Sequence, residues 1–316
     1  MLRADLHVHT CHSRVTGSMR FLGSRDCYSA PAEVYRVARA RGMDLVAFTD
    51  HDSIDGALEL LDARPDAQDV IVGEEITCRL QDGDIEVHLG AYGMTESLHR
   101  EVQSLSRDVF DVTARLREAG VFFSLNHPLL FYRRQIPLDS YLRLLDDVPA
   151  IEARNGTMLA AHNTLVEQLA MRGCPPHGVP RLAMVAGSDA HTLRRVGLTW
   201  TTAPGRTREE FLSSLEKGLG RPGGKHGTAA TVAGDVYGVI ASYIGSLAGL
   251  RPSDHRSWRR AGCLAFSVAS LPFQLLPLVI AAAGKLGERR EVHHACGHFA
   301  AAVESAAAGA PVEPRA

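Results

Sequence analysis

The chain has 316 residues, of which 45% are hydrophobic and 22% are charged, and its formal net charge is −2. This composition is typical of a folded globular protein rather than a disordered chain, and the length allows one large α/β domain with an appendage. Because a net charge near zero provides no overall basic field, we expect no duplex nucleic acid among the partners.

The N-terminal stretch 4–10 alternates apolar and polar residues, which predicts a half-buried β-strand. On a strand, residues two apart project from one face, so His7 and His9 point into the same space. Two neighbouring imidazoles can share a divalent metal ion, although an isolated pair of this kind also occurs on surface strands. The pair predicts a metal site only if other segments supply further ligands.

Beyond a polar loop, short apolar runs alternate with helical patterns. A cap, a proline and an acidic residue at 29–33 predict a helix that stops at Gly42. Further strands are predicted at 43–48, 69–72, 85–92, 121–125, 150–154 and 182–186, and further helices at 57–63, 101–119, 138–145 and 160–172. Since strands that alternate with helices pair in parallel, the pattern predicts an α/β barrel with its helices outside.

Residue types that bind metals collect at the ends of these predicted strands. In a closed parallel barrel, the carboxyl ends of the strands form one face, where such folds carry their sites. The residues concerned are His7, His9, His51, Glu75, His127, Asp189 and His191, while His88 lies inside its strand. Each motif alone is as typical of core histidines or loop turns. Imidazole mixed with carboxylate suits Zn, Mn or Fe, so the joint pattern predicts a transition-metal site.

The motifs together resemble the PHP (polymerase and histidinol phosphatase) family over residues 1–222. The matching motifs are His7-x-His9, Thr49-Asp50-His51, Gly73-x-Glu75, His88, His127-Pro128 and Ser188-Asp189-Ala190-His191. The resemblance implies a distorted (β/α)₇ barrel that holds a trinuclear metal cluster, in enzymes that hydrolyse phosphate esters.

The resemblance also implies which residues would hold the first two metals. The first would be bound by His7, His9, Glu75 and Asp189. Glu75 would bridge to the second, which His88 and His127 complete. Of the two adjacent acidic residues, Glu75 rather than Glu74 fits the family's Gly-x-Glu motif.

The third metal would be held by His51, His191 and an acidic residue from the first loop. The family's usual Ser-Asp-Gly is missing from that loop. Asp26 stands five residues before Pro31, which matches the family's Asp-to-Pro spacing, so we assign Asp26 as the third ligand. His12 is the alternative, because some members of the family use a histidine there.

Phosphate chemistry follows from the charges of such a cluster. Three divalent ions would outweigh the three carboxylates, so the pocket would be cationic and attract a phosphate dianion. A metal-bound water of lowered pKa would then attack phosphorus. We therefore predict a phosphoesterase with two to three divalent ions (Mn, Zn or Fe), acting on a nucleotide, a short oligonucleotide or another small phosphomonoester. The alternatives are a metallohydrolase of C–N or C–O bonds and a non-catalytic, metal-bound scaffold for a membrane-associated assembly.

Other polar residues near the strand ends are candidates for substrate contact and proton transfer. Arginine suits bidentate phosphate contact, and the candidates of this type are Arg133, Arg134, Arg154, Arg194 and Arg195. We predict catalytic roles for Arg154 and Arg194 and substrate contacts for the others, although each could be a solvated loop charge. Asp52 could assist proton transfer or support the turn, and Asn155 is a candidate substrate contact.

The segment 221–227 is rich in glycine and predicts a linker, which places the end of the barrel domain at residue 222. Helical periodicity follows from 233 to 250 and predicts a helical appendage over 223–299. The alanine-rich end, 300–316, is predicted to be disordered.

Residues 262–283 contain no charged side chain and are long enough to span a bilayer, but Pro272 and Pro277 break the run. A hairpin packed on the barrel, a homodimer contact through 233–283 or an in-plane membrane segment fits as well as a span. At the other end of the chain, Asp5 and His7 fall where a signal peptide would be apolar, and the six cysteines form no Cys-x-x-Cys pair. We therefore expect a cytoplasmic protein, with the apolar segment as a candidate membrane contact.

Overall fold

The computed structural model describes residues 1–14, 25–82, 85–130, 138–173, 180–250, 257–269 and 275–307. The strands are β1 (Leu2–Asp5), β2 (Leu45–Phe48), β3 (Val70–Leu80), β4 (Ile85–Tyr92), β5 (Phe122–Leu125), β6 (Ala150–Asn155), β7 (Ala183–Gly187), β8 (Thr199–Ala203) and β9 (Arg221–Gly224). The helices are α1 (Pro31–Ala40), α2 (Asp55–Ala63), α3 (Glu96–Ser104), α4 (Val109–Glu118), α5 (Leu138–Asp147), α6 (Ala160–Arg172), α7 (Arg208–Glu216), α8 (Ala229–Leu247), α9 (Ser257–Ala269) and α10 (Leu276–Ala307).

The strands form one sheet in the order β7-β6-β5-β4-β3-β2-β1-β8-β9. The sheet curls until the chain beyond β7 meets the chain beyond β1, where Val8 and Ala190 form a parallel bridge. The Asp189 backbone N–H donates to the His7 carbonyl at 2.7 Å across this junction. A Cβ on Gly187 would lie 2.2 Å from the His7 Cβ, so only glycine allows this approach. The predicted α/β barrel is thereby confirmed as nearly closed.

The alternating pattern predicted parallel strand pairs throughout, but some pairs in the structure are antiparallel. The pairs β1–β2, β2–β3, β5–β6 and β6–β7 are parallel, whereas β4 runs antiparallel to both β3 and β5. Only four residues separate the end of β3 from the start of β4, and a parallel pair would need a crossover of a dozen or more residues. The structure also adds β8, which pairs antiparallel with β1 and lies between β1 and β9 in the sheet.

Two predicted elements differ from the structure. The helix predicted over 101–119 is two helices, α3 and α4, because Asp108 caps a new start by accepting from the Phe110 backbone N–H at 2.8 Å. The glycine-rich segment predicted as a linker instead contains β9, which pairs antiparallel with β8. Its glycines serve close packing, since a Cβ on Gly223 would lie 2.6 Å from the Trp200 indole nitrogen. The domain boundary predicted at residue 222 therefore falls within a strand.

The barrel interior has an apolar end and a polar end. One apolar cluster takes residues from each of β1 to β8 and from α7, including the fully buried Phe211 of that helix. Tyr92 and Phe122 stack within it, with ring centroids 5.9 Å apart. Two further clusters fill the space between the sheet and the surrounding helices. Helix α7 closes the apolar end, so the polar residues gather at the opposite end.

The C-terminal helices pack on one side of the barrel, where α10 contacts both α6 and α8. Helix α10 extends to Ala307, into the segment 300–316 for which we predict disorder, and residues 308–316 lie outside the described part of the chain. Of the helices described here, none combines the length and the apolar character that crossing a membrane requires.

Candidate metal centre

Glu75 lies at the centre of a buried group of histidines. It belongs to β3, and its backbone bridges to His51, which follows β2. Its Oε2 atom lies 3.1 Å from His7 Nε2, 3.3 Å from His9 Nε2 and 3.2 Å from His51 Nδ1. One carboxylate oxygen is therefore within reach of three imidazole nitrogens from two different strand ends.

The second oxygen of Glu75 faces two more histidines. Oε1 lies 3.3 Å from Nδ1 of His88, on β4, and 3.1 Å from Nε2 of His127, beyond β5. The Asn126 side-chain N–H donates to the same oxygen at 3.0 Å and fixes the carboxylate plane. Glu75 thus has the geometry of a bridging ligand, as the family resemblance implies.

Two more carboxylates, from Asp189 and Asp26, lie close to His9 and its neighbouring histidines. Asp189 Oδ1 is 3.4 Å from His9 Nε2, and Asp26 Oδ2 is 2.9 Å from His191 Nε2 and 3.8 Å from His51 Nε2. His9, Asp26, His51 and His191 form one group whose ligand atoms all lie within 4.8 Å of one another.

Of the two candidates for the loop ligand, Asp26 lies in the cluster and His12 lies outside it. The His12 ring instead points to Glu59 on α2, with Nε2 2.7 Å from Glu59 Oε2.

The two adjacent acidic residues of β3, Glu74 and Glu75, point to opposite faces of the strand. Glu74 faces the opposite side of the strand. There its Oε2 lies 2.8 Å from His99 Nδ1, and its Oε1 accepts from Gln103 Nε2 at 2.8 Å. Strand alternation therefore sends only Glu75 into the site.

The donor set fits divalent metal ions. In the described part of the chain, several buried polar atoms of the cluster make no hydrogen bond: His7 Nε2, His9 Nε2, His51 Nδ1, Asp26 Oδ2 and Glu75 Oε2. Each buried polar atom without a hydrogen bond costs about 1–3 kcal/mol. Because these lone pairs converge instead of pointing at N–H donors, cations between them would satisfy all of them together. Among the residues that the structure describes, four overlapping groups of this kind are found.

Electrostatics hold the residues of the cluster in different protonation states. Burial opposes the charged forms of His88 and His191, but Glu75 raises the pKa of His88 to about 9 and Asp26 raises the pKa of His191 to about 10, so both rings would release a proton on binding a metal. Burial alone would raise the pKa of Glu75, but His7, His51 and His88 hold that pKa well below its usual value. Burial is the main cause that lowers the pKa of His51 to about 3, assisted by His9 and His88 and opposed by Glu75. Glu75 is therefore an anion and His51 a neutral imidazole, which are the forms that coordinate metals.

Two of the ligands sit on strained backbone. His127 has φ +28° and Asp189 has φ +51°, values that residues other than glycine rarely adopt. Hydrogen bonds hold Asp189 in place, because Thr157 Oγ1 and Asn155 Nδ2 donate to its Oδ2 at 3.0 and 3.2 Å. Strain of this kind persists where the surroundings fix a functional geometry.

Glu152, which the sequence reasoning missed, organises this part of the site. Its Oε1 lies 2.9 Å from His7 Nδ1, and its Oε2 accepts from the His127 backbone N–H at 2.8 Å. Asn155 Nδ2 also donates to Oε2, at 2.9 Å. A carboxylate on the far nitrogen of a ligating histidine sets the tautomer and the ring direction. The available signal was an acidic residue in the middle of the apolar strand β6.

The predicted proton-transfer residue Asp52 is held elsewhere. Its Oδ2 lies 2.9 Å from Arg107 Nη1, and its Oδ1 accepts from the Thr77 backbone N–H at 2.9 Å. Its backbone has φ +49°. These contacts favour the role in supporting the turn after His51, and the role in proton transfer stays a prediction.

The predicted substrate-contact residues are also placed by the structure. Arg154 pairs with Glu167 on α6, with Nη2 2.6 Å from Oε1. Arg195 is buried and donates to the Gly156 carbonyl. Both guanidinium groups are thus engaged within the protein, and the roles predicted for them stay predictions.

Asn155 is likewise engaged, since its side chain donates to two carboxylates, Glu152 and Asp189. These hydrogen bonds orient the Asp189 carboxylate, and the substrate contact of Asn155 stays a prediction. Arg194 is exposed, with its side chain at the surface after β7. Arg133 and Arg134 lie outside the described residues.

Comparison with known proteins gives partial matches. Residues 180–219 match the family model described as PHP-associated, a segment that includes Asp189 and His191. An uncharacterized protein of Methanocaldococcus jannaschii is 34% identical over 76 residues, covering 24% of this chain and 44% of that protein. The match therefore spans less than half the length of this curated relative.

Among solved structures, a candidate metal-dependent phosphoesterase from Bifidobacterium adolescentis has a TM-score of 0.46 at 18% identity, over 68% of this chain and 94% of that chain. An amidohydrolase from Chromobacterium violaceum has a TM-score of 0.47 at 19% identity, over 68% of this chain and 96% of that chain. Likenesses this low assign no activity to the chain. Over residues 180–219, the chain is similar to the PHP-associated family model, in the segment that carries the Ser188-Asp189-Ala190-His191 motif.

Proposed function

We propose that this chain is a metal-dependent phosphoesterase that hydrolyses a small phosphomonoester. The observation that carries the proposal is the convergence of six imidazoles and three carboxylates on one buried site at the polar end of the barrel. The residues are His7, His9, His51, His88, His127, His191, Asp26, Glu75 and Asp189. We propose that this set holds two to three divalent ions, of Mn, Zn or Fe, because the donors mix imidazole with carboxylate.

Charge favours a phosphate group as the substrate moiety. Three carboxylates leave a net positive charge when two or three divalent ions are bound, which suits a phosphate dianion. When bound, such ions supply Lewis acidity and lower the pKa of coordinated water. The protein's own part is to fix the ligands: Glu152 orients His7, and Asn126 orients Glu75.

The site opens on one side. His7, His9 and Glu75 are almost completely buried, whereas the side chains of Asp26 and His191 are part-exposed. Substrate therefore reaches the group formed by Asp26 and His191 first. We place the phosphate there, with its ester group directed to solvent, which fits a small substrate better than a duplex.

The test is metal content and turnover measured on the same preparations. We expect the purified protein to carry two to three transition-metal equivalents and to release phosphate from an aryl phosphate with added Mn²⁺. His9→Ala or Asp189→Ala should lose metal and abolish turnover. His99→Ala is the matched control, because His99 contacts Glu74 on the other side of the strand. This variant should retain both its metal and its turnover.

Undiminished turnover in either site variant would remove the assignment of these ligands. A protein that binds metal but cleaves only amide or lactone substrates from a broad panel would be a different metallohydrolase, and the phosphoesterase proposal would be wrong. The ligand assignments would stand in that case, since metal content is read separately.

A further inference from the structure

Helix α10 buries charged side chains and exposes large apolar ones. Lys285 and Glu288 are only 9% and 6% exposed, whereas Val279, Ile280 and Leu286 are 59%, 60% and 55% exposed. An ordinary surface helix shows the reverse, with apolar residues inward and charges outward. The outer face of α10 is therefore suited to surroundings other than water.

Specific polar contacts hold the helix in this orientation. Glu288 Oε2 lies 2.5 Å from Lys285 Nζ, and its Oε1 accepts from the Leu159 backbone N–H at 2.7 Å. Leu159 caps the start of α6, and the buried His162 of that helix has Nδ1 3.5 Å from Glu288 Oε1. Turning α10 to bury its apolar face would break these contacts and expose the start of α6. The inverted arrangement thus belongs to the native packing.

The exposed residues form one continuous stripe. Leu276, Val279, Ile280, Ala283 and Leu286 recur at helical spacing and extend over about 15 Å of helix. Leu275 extends the stripe at its N-terminal end, and all of these side chains are exposed. Contiguous exposed apolar area of this kind marks an interaction surface, in contrast to single exposed residues.

Charge changes abruptly where the stripe ends. Arg289, Arg290 and His293 follow Leu286 within two turns and are exposed. Between residues 257 and 297 the chain has five basic and two acidic residues, although its formal net charge is −2 overall. An apolar stripe bordered by cations matches the two layers of an anionic bilayer surface, acyl chains and headgroups.

We propose that the outer face of α10 docks on an anionic lipid surface, with the apolar stripe in the interface and Arg289 and Arg290 at the headgroups. Of the helices described, none is suited to cross the bilayer, so the helix would lie in the plane of the surface. A second copy of the chain fits less well. Parallel pairing of two stripes would bring the arginines together, and antiparallel pairing would place them on the partner's apolar Leu276 end.

Vesicle flotation of the full chain tests this proposal. Vesicles of phosphatidylcholine alone and vesicles with about a third phosphatidylserine are compared at low and high salt. We expect binding to the anionic vesicles that weakens with salt. The double variant Val279→Ser/Ile280→Ser should bind at least about tenfold more weakly, and Arg289→Gln/Arg290→Gln about tenfold more weakly on anionic vesicles.

Met171→Ser is the matched control, because Met171 is an exposed apolar residue on α6, away from the stripe. It should bind as the unmodified chain does, and all variants should unfold at unchanged temperature. Failure of the unmodified chain to float with anionic vesicles would overturn the proposal. A second result would also overturn it: light scattering shows a dimer, the Val279→Ser/Ile280→Ser variant is monomeric, and the unmodified chain does not bind vesicles. The stripe would then be covered by a second copy of the chain.

Discussion

The polar end of the barrel and helix α10 both bury charged groups, but the buried Lys285–Glu288 pair of α10 is satisfied within the protein. Around Glu75, buried nitrogens and oxygens converge without hydrogen bonds. In α10, Glu288 pairs with Lys285 and accepts from a backbone N–H. The difference separates two meanings of a buried charge. At the barrel it requires a ligand from outside, whereas in the helix it fixes an orientation and leaves the apolar face to be covered.

Replacing the bridging carboxylate should have the largest effect. In Glu75→Gln, one oxygen remains but the negative charge is lost, so the ions shared by His7, His51 and His88 lose their common ligand. We expect metal content to fall and phosphate release to drop on the order of a thousandfold or more. Metal analysis and turnover on the same sample give the measurement.

Glu74→Gln is the adjacent control. Glu74 is equally buried but is satisfied by His99 and Gln103 on the other face of β3. This variant should keep its metal and lose stability by about 1–2 kcal/mol. Equal metal loss in both variants would mean that burial of an acid, and not bridging by Glu75, governs binding.

Metal removal should destabilise the barrel more than any single loss of a supporting bond. Ions present at about a thousandfold their Kd stabilise the native state by about 4 kcal/mol. For a chain of this size, a chelator should then lower the unfolding temperature on the order of 10 °C. Scanning calorimetry with and without chelator measures the shift. The Glu75→Gln variant should show almost no chelator response, and a shift of the same size there would contradict the assignment.

Glu152→Gln should have a smaller effect, because Glu152 acts on the metal through His7. The amide can still meet His7 Nδ1, but it no longer presents an anion that stabilises the bound form of the ring. We expect metal affinity to fall by about 10–100-fold. Metal titration followed by calorimetry provides the affinity. Glu167→Gln, which removes the partner of Arg154 outside the cluster, should leave the affinity unchanged.

Seven residues of the cluster could be predicted because each combines a metal-binding residue type with a predicted strand end, and strand ends of a barrel share one face. His88 and Asp26 come from the family resemblance alone. Glu152 fits no motif, because its role depends on reaching His7 across the closed barrel. The orientation of α10 could not be predicted for a related reason. Periodicity shows two stripes, one apolar and one with Lys285 and Glu288, but their direction depends on Leu159 and His162, which meet α10 only in the folded chain.

The fold differs from the prediction where long-range contacts decide the structure. Alternation with helices predicts parallel pairs, but β4 follows β3 after only four residues and runs in the opposite direction. The glycines of 221–227 carry the composition of a linker, yet Gly223 allows the strand to pack against Trp200. Composition shows that glycine is permitted at such positions, and only the neighbouring strand shows why it is needed.

Asp52→Asn should have the smallest effect, and it tests to which kind of buried charge Asp52 belongs. Its neighbour His51 belongs to the candidate metal cluster, whereas the Asp52 carboxylate pairs with Arg107 and accepts from the Thr77 backbone N–H. If it is satisfied within the protein, the asparagine should cost about 1 kcal/mol of stability and leave kcat within about twofold. Steady-state kinetics across pH, together with denaturant unfolding, separates the two effects. A large fall in kcat at unchanged stability and metal content would return Asp52 to the proton-transfer role and place it among the groups that act on substrate.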